Sequence, residues 1–334
     1  MADLQREIAL EFVRVTEAAA LRASRWLGLG DKDGVDKAAS DAMRGMLDLI
    51  AIRGTVIIGE GVKDRAPMLH IGEKVGNWRE YAPEVDIAVD PVDGTRLVAN
   101  GLPNALAIIA AGSKGSFMAI PSFYMYKLAC GPQLRGKLDI NCSVSANLAV
   151  ASAELGKDIR DLTVVILDRD RHRDLIAEVR RAGARIRLIG DGDVAGAIST
   201  AISFDNGSAD ICLGIGGAPE GVLAAAALNC LGGEIQARFH IVRAEERTLI
   251  ERAGYDPGAV YRTEELARGQ DVIFAATGVT GGEFLQGVSF GSHQAVTHSV
   301  VMRSKYKTVR YIKAIHNLNY KTIPSRERNQ EEFV

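Results

Sequence analysis

The feature that most constrains the fold is the alternation of strand-like and helix-like segments in the second half of the chain. Short apolar runs predict buried strands, and the amphipathic segments between them predict helices. In chain order these segments are 162–167, 174–181, 184–189, 194–202, 211–214 and 219–231. Units of this spacing pack as right-handed crossovers on a mostly parallel sheet. The sequence therefore predicts an α/β protein.

The rest of the chain extends this prediction to two α/β halves. Helices are predicted at 4–27 and 36–53, strands at 56–58, 85–89, 105–110 and 272–276, and an antiparallel pair at 298–302 and 308–315. A chain of 334 residues has room for two domains. We place the boundary near 150–160, which gives an N-terminal domain (1–155) and a C-terminal domain (156–334). The last ten residues are expected to form a solvated tail.

Composition excludes several classes of protein. A net charge of −2, with 47% hydrophobic and 25% charged residues, excludes a disordered chain and offers no basic surface for nucleic acid or membrane. The four cysteines form no C-x-x-C pair, so neither a disulfide framework nor structural zinc is expected. With no signal-peptide pattern and no long apolar stretch, the expected location is the cytoplasm.

Acidic residues directly follow several of the predicted strands. They are Glu60, Asp90, Asp93, Asp191 and Asp193. Ligands of α/β proteins bind at the carboxyl ends of strands, although a single acid there is often a helix cap or a turn former. Glycines, at about 10% of the chain against a usual ~7%, accompany these acids and favour close approach of a ligand to the backbone.

The segment Asp90-Pro91-Val92-Asp93-Gly94-Thr95 carries the most specific signal. Pro91 bends the chain so that two carboxylates can converge, and two such carboxylates repel unless a cation or a shared proton compensates. Oxygen ligands favour a hard cation, Mg²⁺ or Mn²⁺. Gly94 and Thr95 can form a helix start that accepts a phosphate.

Two further patterns fit the same chemistry. Glu60 stands between two glycines, and Glu220 follows a glycine-rich loop at 214–217, where it could equally be a partner of the helix dipole. Arg169 and Arg171 follow another predicted strand and could hold a phosphate, or form a solvated surface. Neither the P-loop pattern nor the dinucleotide-binding pattern is completed anywhere in the chain.

Together these segments resemble class II fructose-1,6-bisphosphatases, the bacterial type within the lithium-sensitive, metal-dependent phosphatase superfamily. The resemblance spans about residues 5–318. Its motifs are EFVRVTEAAAL near the start, VIIGEGVKDRAPMLHIGEKVG at 56–76, DPVDGT at 90–95, DGDVAGAI at 191–198, IGGAPEGVLAAAAL at 215–228 and ATGVTGGEFLQGV at 276–288.

The resemblance implies hydrolysis of the 1-phosphate of fructose 1,6-bisphosphate in gluconeogenesis. It also implies Mg²⁺ or Mn²⁺, a layered α/β/α/β/α sandwich, and a homodimer or homotetramer. The implied metal ligands are Asp36, Glu60, Asp90, Asp93 and Glu220, and the implied catalytic residues are Glu60, Asp90 and Thr95. The implied substrate contacts are Asp93, Gly94, Thr95, Tyr124, Arg169, Asp170, Arg171, Asp191, Gly192, Asp193 and Gly217.

Two positions depart from the family pattern. Position 93 is Asp where many members carry Glu, and position 170 is Asp where Pro is more usual. The second change places a negative charge beside a proposed phosphate site, so Arg169 and Arg171 are stronger candidates than Asp170.

The expected mechanism is metal-assisted phosphoryl transfer to water, with Thr95, expected close to Glu60, orienting or relaying a proton. The alternatives are a bifunctional enzyme that also takes sedoheptulose 1,7-bisphosphate and a non-catalytic sugar-phosphate sensor. A sensor has no need to keep every acidic ligand, which argues against it.

Overall fold

The structure is a computed structural model that describes residues 5–61, 68–120, 122–202, 209–324 and 332–333, with no side-chain description for 5–7 or 332–333. Its helices are α1 (Gln5–Ala23), α2 (Lys32–Leu47), α3 (Thr95–Ala99), α4 (Val144–Leu155), α5 (Arg173–Ala182), α6 (Asp193–Ile198), α7 (Ala218–Leu231), α8 (Ala244–Arg252) and α9 (Thr263–Leu266). Short 3₁₀ turns cover Ser24–Trp26, Pro132–Leu134, Ile159–Asp161 and Asp170–His172.

The strands form two main sheets and one short pair. They are β1 (Arg53–Ile58), β2 (Lys74–Val75), β3 (Glu84–Asp93), β4 (Leu106–Ser113), β5 (Tyr124–Cys130), β6 (Thr163–Leu167), β7 (Arg185–Ile189), β8 (Ile211–Gly217), β9 (Glu234–Phe239), β10 (Tyr261–Arg262), β11 (Ile273–Gly278), β12 (Ser289–Phe290), β13 (Gln294–Arg303), β14 (Thr308–Asn317), β15 (Thr322–Ile323) and β16 (Glu332–Phe333).

The chain divides into two compact units. Unit 1 consists of Met1–Phe117 and Gly269–Val334, and unit 2 of Met118–Arg268. The boundary expected between residues 155 and 156 falls inside unit 2, directly after α4. Leu148 of α4 and Val164 of β6 belong to one hydrophobic core, so residues on the two sides of the expected boundary pack against each other.

Unit 1 is built on a sheet with the order β12-β13-β11-β4-β3-β1-β2, and β14 pairs with the free side of β13. Helices α1 and α2 bury an apolar stripe that includes Phe12 and Met43 in one core with Val89 and Ile109 of the sheet. The only parallel pair described in this sheet is β1–β3.

Unit 2 is built on a sheet with the order β10-β9-β5-β8-β6-β7. Strands β6, β7 and β8 run parallel, and β5, β9 and β10 add antiparallel pairs. Because β6, β7 and β8 are parallel, their carboxyl ends lie along one edge of the sheet, and this edge carries the candidate site residues of unit 2.

The α/β class is confirmed, but the expectation of a mostly parallel sheet is wrong. In unit 2 the parallel strands β6, β7 and β8 share their sheet with β5, β9 and β10, which pair antiparallel and which the alternating pattern did not include. The antiparallel pair predicted for the final third of the chain is confirmed. Unit 2 contains the parallel strand–helix–strand units that the spacing predicted.

Most predicted helices and strands are present, with shifted ends. The second helix begins at Lys32 rather than 36, because the Asp31 carboxylate accepts a hydrogen bond from the Gly34 amide at 2.9 Å and caps it. Four longer elements were not predicted: β5, α4, β9 and α8. Most of the predicted solvated tail, 325–331 and 334, lies outside the described residues, whereas β16 within it pairs with β15. No helix among the described residues is long and apolar enough to span a membrane.

Candidate active site

The first group of candidate residues lies where β3 ends in unit 1. The Val92 amide donates to Asp90 Oδ1 at 3.1 Å, which turns the chain at Pro91. The pairing with β4 shifts there, so that Asp90 faces Ile108 while Asp93 faces Leu106. This bulge places both acids at the end of one strand, and Asp93 is only 5% exposed.

Residues 94 and 95 connect this strand end to helix α2. Gly94 adopts a left-handed conformation (φ 94°), and a Cβ there would lie 2.8 Å from Leu97 Cδ1, so the turn requires glycine. The Thr95 hydroxyl donates to Asp36 Oδ1 at 2.6 Å. Burial raises the pKa of Asp36, and the hydrogen bond from Thr95 opposes that rise. The structure thus joins two of the sequence-predicted residues, with Asp36 as the observed partner of Thr95.

Glu60 comes directly after the neighbouring parallel strand. The register pairs Ile58 of β1 with Ala88 of β3, and Glu60 and Asp90 each follow that pair by two residues. The Glu60 amide donates to the Leu69 carbonyl at 3.0 Å. The backbone of Glu60 is thereby fixed at the same sheet edge as Asp90, as the acid-after-strand pattern predicted. Part of the segment that follows it, 62–67, lies outside the described residues.

The buried Arg44 of α2 forms hydrogen bonds with residues 73 and 74, which follow Glu60 in the chain. Arg44, 1% exposed, donates from Nε to Glu73 Oε1 at 2.6 Å and from Nη2 to the Lys74 carbonyl at 3.0 Å. Because α2 also carries Asp36, Arg44 links the helix of one candidate ligand to the chain that holds Glu60.

The second group lies at the carboxyl ends of the parallel strands of unit 2. Arg169 pairs with Asp191 at 3.3 Å between Nη2 and Oδ1. Arg171 donates from Nε and Nη2 to the Ile215 carbonyl at 3.0 and 2.8 Å, and its guanidinium lies 5.1 Å from the centre of the Tyr124 ring. The loops after β6, β7 and β8 and the start of β5 therefore meet at one edge.

Three charged side chains meet at the same edge. Lys127 of β5 forms an ion pair with Asp193 and donates to the Gly217 carbonyl at 3.1 Å. Glu220 lies against Gly217, where an added Cβ would come 1.9 Å from its Oε2. That Oε2 atom is buried, and it has no hydrogen-bond partner within the described parts of the chain.

The ionisation of this cluster reflects both burial and charge. Burial raises the pKa of Glu220, Asp193 raises it further, and Lys127 opposes the rise. Burial alone would lower the pKa of Lys127, but the attraction of Asp193 and Glu220 outweighs it and raises that pKa. The ammonium therefore stays charged between the two acids.

His172 fastens the loop after β6 to the end of β8. Its Nδ1 lies 2.7 Å from the Leu167 carbonyl, and its Nε2 accepts from the Ile215 amide at 2.7 Å. Only the neutral ring protonated on Nδ1 satisfies both contacts. Burial lowers the pKa of His172, which agrees with that form.

Two sequence-predicted residues of this edge contribute differently from their neighbours. Gly192 has φ 79° and is the N-cap of α6, so it sets the direction in which the chain enters the helix at Asp193. Asp170 pairs with Arg173 at 2.8 Å on the surface, and its side chain is 90% exposed. The structure therefore does not bring Asp170 together with the other candidate residues.

Sequence reasoning missed Lys127 and the part played by His172. Lys127 is a single charge in the otherwise uncharged strand YMYKLAC, and that isolation is the signal that could have revealed it. His172 carried no comparable signal, because both of its partners are backbone groups.

The donor chemistry of the candidate ligands fits a hard divalent cation. Asp36, Glu60, Asp90 and Asp93 of unit 1 and Glu220 of unit 2 offer carboxylate oxygens, the ligands that Mg²⁺ and Mn²⁺ prefer. The buried Glu220 Oε2, which has no hydrogen-bond partner among the described residues, is available to such a cation. Within the described ranges, no three His, Cys, Asp or Glu side chains are already grouped closely enough to hold a metal ion.

Comparison with known proteins adds independent information. The sequence profile of the family described as bacterial fructose-1,6-bisphosphatase, glpX-encoded, matches residues 6–316. The chain is 46% identical over 331 residues to fructose-1,6-bisphosphatase 1 class 2 of Escherichia coli K12, covering 95% of this chain and 97% of that one. The class 2 fructose-1,6-bisphosphatase of Shigella flexneri gives the same values.

Similarity to solved structures is weaker. An extragenic suppressor from Pyrococcus furiosus aligns with a TM-score of 0.31 and 16% identity, covering 60% of this chain and 72% of the other. This value is too low to support an argument about fold or function.

Proposed function

This chain belongs to the bacterial, class 2 fructose-1,6-bisphosphatase family, and we propose that it hydrolyses the 1-phosphate of fructose 1,6-bisphosphate, giving fructose 6-phosphate and phosphate. It is therefore a metal-dependent phosphatase of carbohydrate metabolism. The observation that carries the proposal is the similarity to class 2 enzymes over 95% of the chain. We place the reaction in gluconeogenesis.

The proposed metal ligands are Asp36, Glu60, Asp90, Asp93 and Glu220, and the proposed cation is Mg²⁺ or Mn²⁺. When bound, such a cation neutralises phosphate charge and lowers the pKa of a water molecule. The carboxylates of this chain would bind the cation and set its position. Their oxygen chemistry supports the assignment.

In this proposal Thr95 and its neighbours orient or relay a proton. The Thr95 hydroxyl donates a hydrogen bond to Asp36 Oδ1 at 2.6 Å, and burial raises the pKa of that carboxyl group. Gly94 gives the backbone conformation that places this hydroxyl. We assign catalytic roles to Glu60, Asp90 and Thr95, and assign Asp93, Gly94 and Thr95 to substrate binding as well.

The carboxyl edge of unit 2 is the proposed site for the sugar and its distant phosphate. The assigned contacts are Tyr124, Arg169, Arg171, Asp191, Gly192, Asp193 and Gly217, and Asp170 is left out because its exposed side chain pairs with Arg173. Arginines suit a phosphate because the guanidinium forms two parallel hydrogen bonds to its oxygens. Holding the distant phosphate orients the scissile one, and orientation contributes substantially to the rate of such reactions.

The comparisons name fructose bisphosphatases and do not favour the two alternatives, a sedoheptulose-directed bifunctional enzyme and a sensor. We further propose a cytoplasmic homodimer or homotetramer that binds neither nucleic acid nor membrane. Light scattering on the purified chain would give its oligomeric state, and a monomeric mass would contradict that part of the proposal.

Phosphate release from fructose 1,6-bisphosphate tests the function directly. Wild-type protein should release phosphate with Mg²⁺ or Mn²⁺ and stop when the metal is chelated. Asp90→Asn should abolish turnover without unfolding the protein. Asp161→Asn, at an exposed acid that pairs with Arg185, is the matched control and should keep full activity. No release by the wild type, or near-normal release by Asp90→Asn, would contradict the proposal.

A further inference from the structure

We propose that Lys127 is a positioning residue of the sugar-phosphate site, which holds the first residue of α6 against the last residue of β8. The inference rests on the proposed function, which assigns Asp193 and Gly217 to substrate binding. Neither the sequence motifs nor the family resemblance assigned a role to Lys127.

The first support is the pair of contacts made by one ammonium group. Lys127 Nζ forms an ion pair with the Asp193 carboxylate and donates to the Gly217 carbonyl at 3.1 Å. The side chains of Lys127 and Asp193 are only 10% and 11% exposed. Charges so shielded from water interact strongly, so the two substrate-binding segments are held in one geometry.

The second support is the close packing around this contact. A Cβ at Gly216 would lie 1.9 Å from Asp193 Oδ2 and 2.7 Å from Lys127 Nζ. The β8 backbone therefore approaches the ion pair as closely as a glycine allows. A cavity of about 20 Å³ that both Lys127 and Asp193 line has room for about one water molecule.

The third support is the burial of the Asp193 carboxylate beside this ammonium. Without Lys127, a carboxylate that is only 11% exposed would be left without the cation that now offsets its loss of hydration, which is unfavourable. A neutral residue at position 127 should therefore displace Asp193 from its binding position.

A second ion pair of unit 2 provides the control for a purely structural role. Lys157 pairs with Asp210 at 2.6 Å, and Asp210 also accepts from the Thr163 amide at 2.8 Å. Thr163 begins β6, at the opposite end of that strand from the candidate site. Lys157→Met removes a lysine from a buried acid without touching the carboxyl edge.

Steady-state kinetics with fructose 1,6-bisphosphate tests the proposal. Lys127→Met should raise KM at least about tenfold while kcat changes less than about threefold, because the substrate contacts rather than the reacting groups are displaced. Lys157→Met should leave KM within about twofold of the wild type. A wild-type KM in Lys127→Met would overturn the proposal.

A double-mutant cycle tests whether Lys127 acts through Asp193. Because each change breaks the same contact, Lys127→Met/Asp193→Asn should raise KM no more than about twofold beyond the larger single effect. A rise in KM equal to the product of the two single-variant rises would show that Lys127 acts independently of Asp193, and it would overturn the proposal. If Lys127→Met does not fold, the double variant removes both charges together, and a KM near the wild type in it would equally overturn the proposal.

Amide hydrogen exchange separates this inference from the proposed function. Exchange at 193–198 and 214–221 should be faster in Lys127→Met than in the wild type and unchanged in Lys157→Met. Unchanged exchange in Lys127→Met would overturn the positioning role whether or not the protein is active. Absence of turnover in the wild type would instead overturn the proposed function.

Discussion

The two groups of candidate residues are held in place by different means. In unit 1, Asp90 accepts from a backbone amide and Asp36 from the Thr95 hydroxyl. In unit 2, the acids pair with cations, Asp193 with Lys127 and Asp191 with Arg169. Carboxylates held by neutral donors suit a metal ion, whereas an edge with basic residues can accept a phosphate. The contrast supports the proposal of a cation-binding end in unit 1 and an anion-binding end in unit 2, to which the proposed ligand Glu220 also belongs.

The largest effect expected is on the stability of the unit 2 edge. His172→Phe removes hydrogen bonds of 2.7 Å to Leu167 and Ile215 in a side chain that is 1% exposed. The Leu167 carbonyl would keep the hydrogen bond from the Arg169 amide at 2.9 Å, but the Ile215 amide would lose its acceptor, so the free energy of unfolding should fall by about 2–3 kcal/mol. Urea denaturation of the wild type and the variant measures this loss of free energy. A loss under about 1 kcal/mol would show that the edge does not depend on side-chain contacts.

The next effect is on activity at the same edge. Gly216→Ala would push a methyl group into Asp193 Oδ2, 1.9 Å away, and should lower kcat/KM about 100-fold by separating the ion pair. Gly183→Ala is the control, because it has a positive φ of 89° but no atom within 4 Å of the added carbon. That variant should lose only about 1 kcal/mol of stability and keep its kinetics. Equal losses of kcat/KM in both variants would refute the packing argument.

A smaller effect concerns the neutral polar groups of unit 1. His316 Nε2 lies 2.8 Å from Thr297 Oγ1, and burial, followed by the charge of Lys321, lowers the pKa of His316 to about 4. The folded protein keeps this ring neutral where the unfolded chain, near 6.5, takes up a proton. The stabilisation of the folded protein by the neutral His316 ring is therefore fully present above pH 6.5, and it is lost progressively as the pH falls toward 4.

Denaturation at several pH values tests this dependence. From pH 6.5 to 5 the wild type should lose about 2 kcal/mol more than His316→Gln, since each pH unit is worth about 1.4 kcal/mol per proton. The pKa of Glu17, which also bonds to Thr297, is raised by burial and acts in the opposite sense, but it is present in both proteins. Parallel stability profiles would contradict the assignment.

The smallest effect concerns Asp170. Its pair with Arg173 lies on the surface, so Asp170→Ala should change the free energy of unfolding by less than about 0.5 kcal/mol. Removing a negative charge near the proposed phosphate site should lower KM by at most about threefold. A large rise in KM would instead show that Asp170 contacts the substrate directly.

The sequence predicted what depends on local pattern and strand direction. Parallel strands bring their carboxyl ends to one edge, so Arg169 and Asp191 were expected at a common site and are paired there. The turn at Asp90 was predicted because proline and glycine act on neighbouring residues. These features need only short stretches of chain to be recognised.

Features that depend on distant partners were not predictable from the sequence. Lys127 finds Asp193 66 residues away and Gly217 90 residues away, and nothing local identifies either partner. The antiparallel pairs of β11 with β4 and β13 likewise join distant segments, which hydrophobic periodicity does not reveal. The discontinuous make-up of unit 1 follows from the same pairing.

The division between a cation-binding and an anion-binding end is tested most directly by measuring Mn²⁺ affinity and KM together in Asp90→Asn and Arg171→Met. The account predicts that Asp90→Asn loses Mn²⁺ binding and turnover. It predicts that Arg171→Met keeps Mn²⁺ binding and kcat while its KM rises about tenfold. Loss of Mn²⁺ binding in Arg171→Met, or normal turnover in Asp90→Asn, would contradict it.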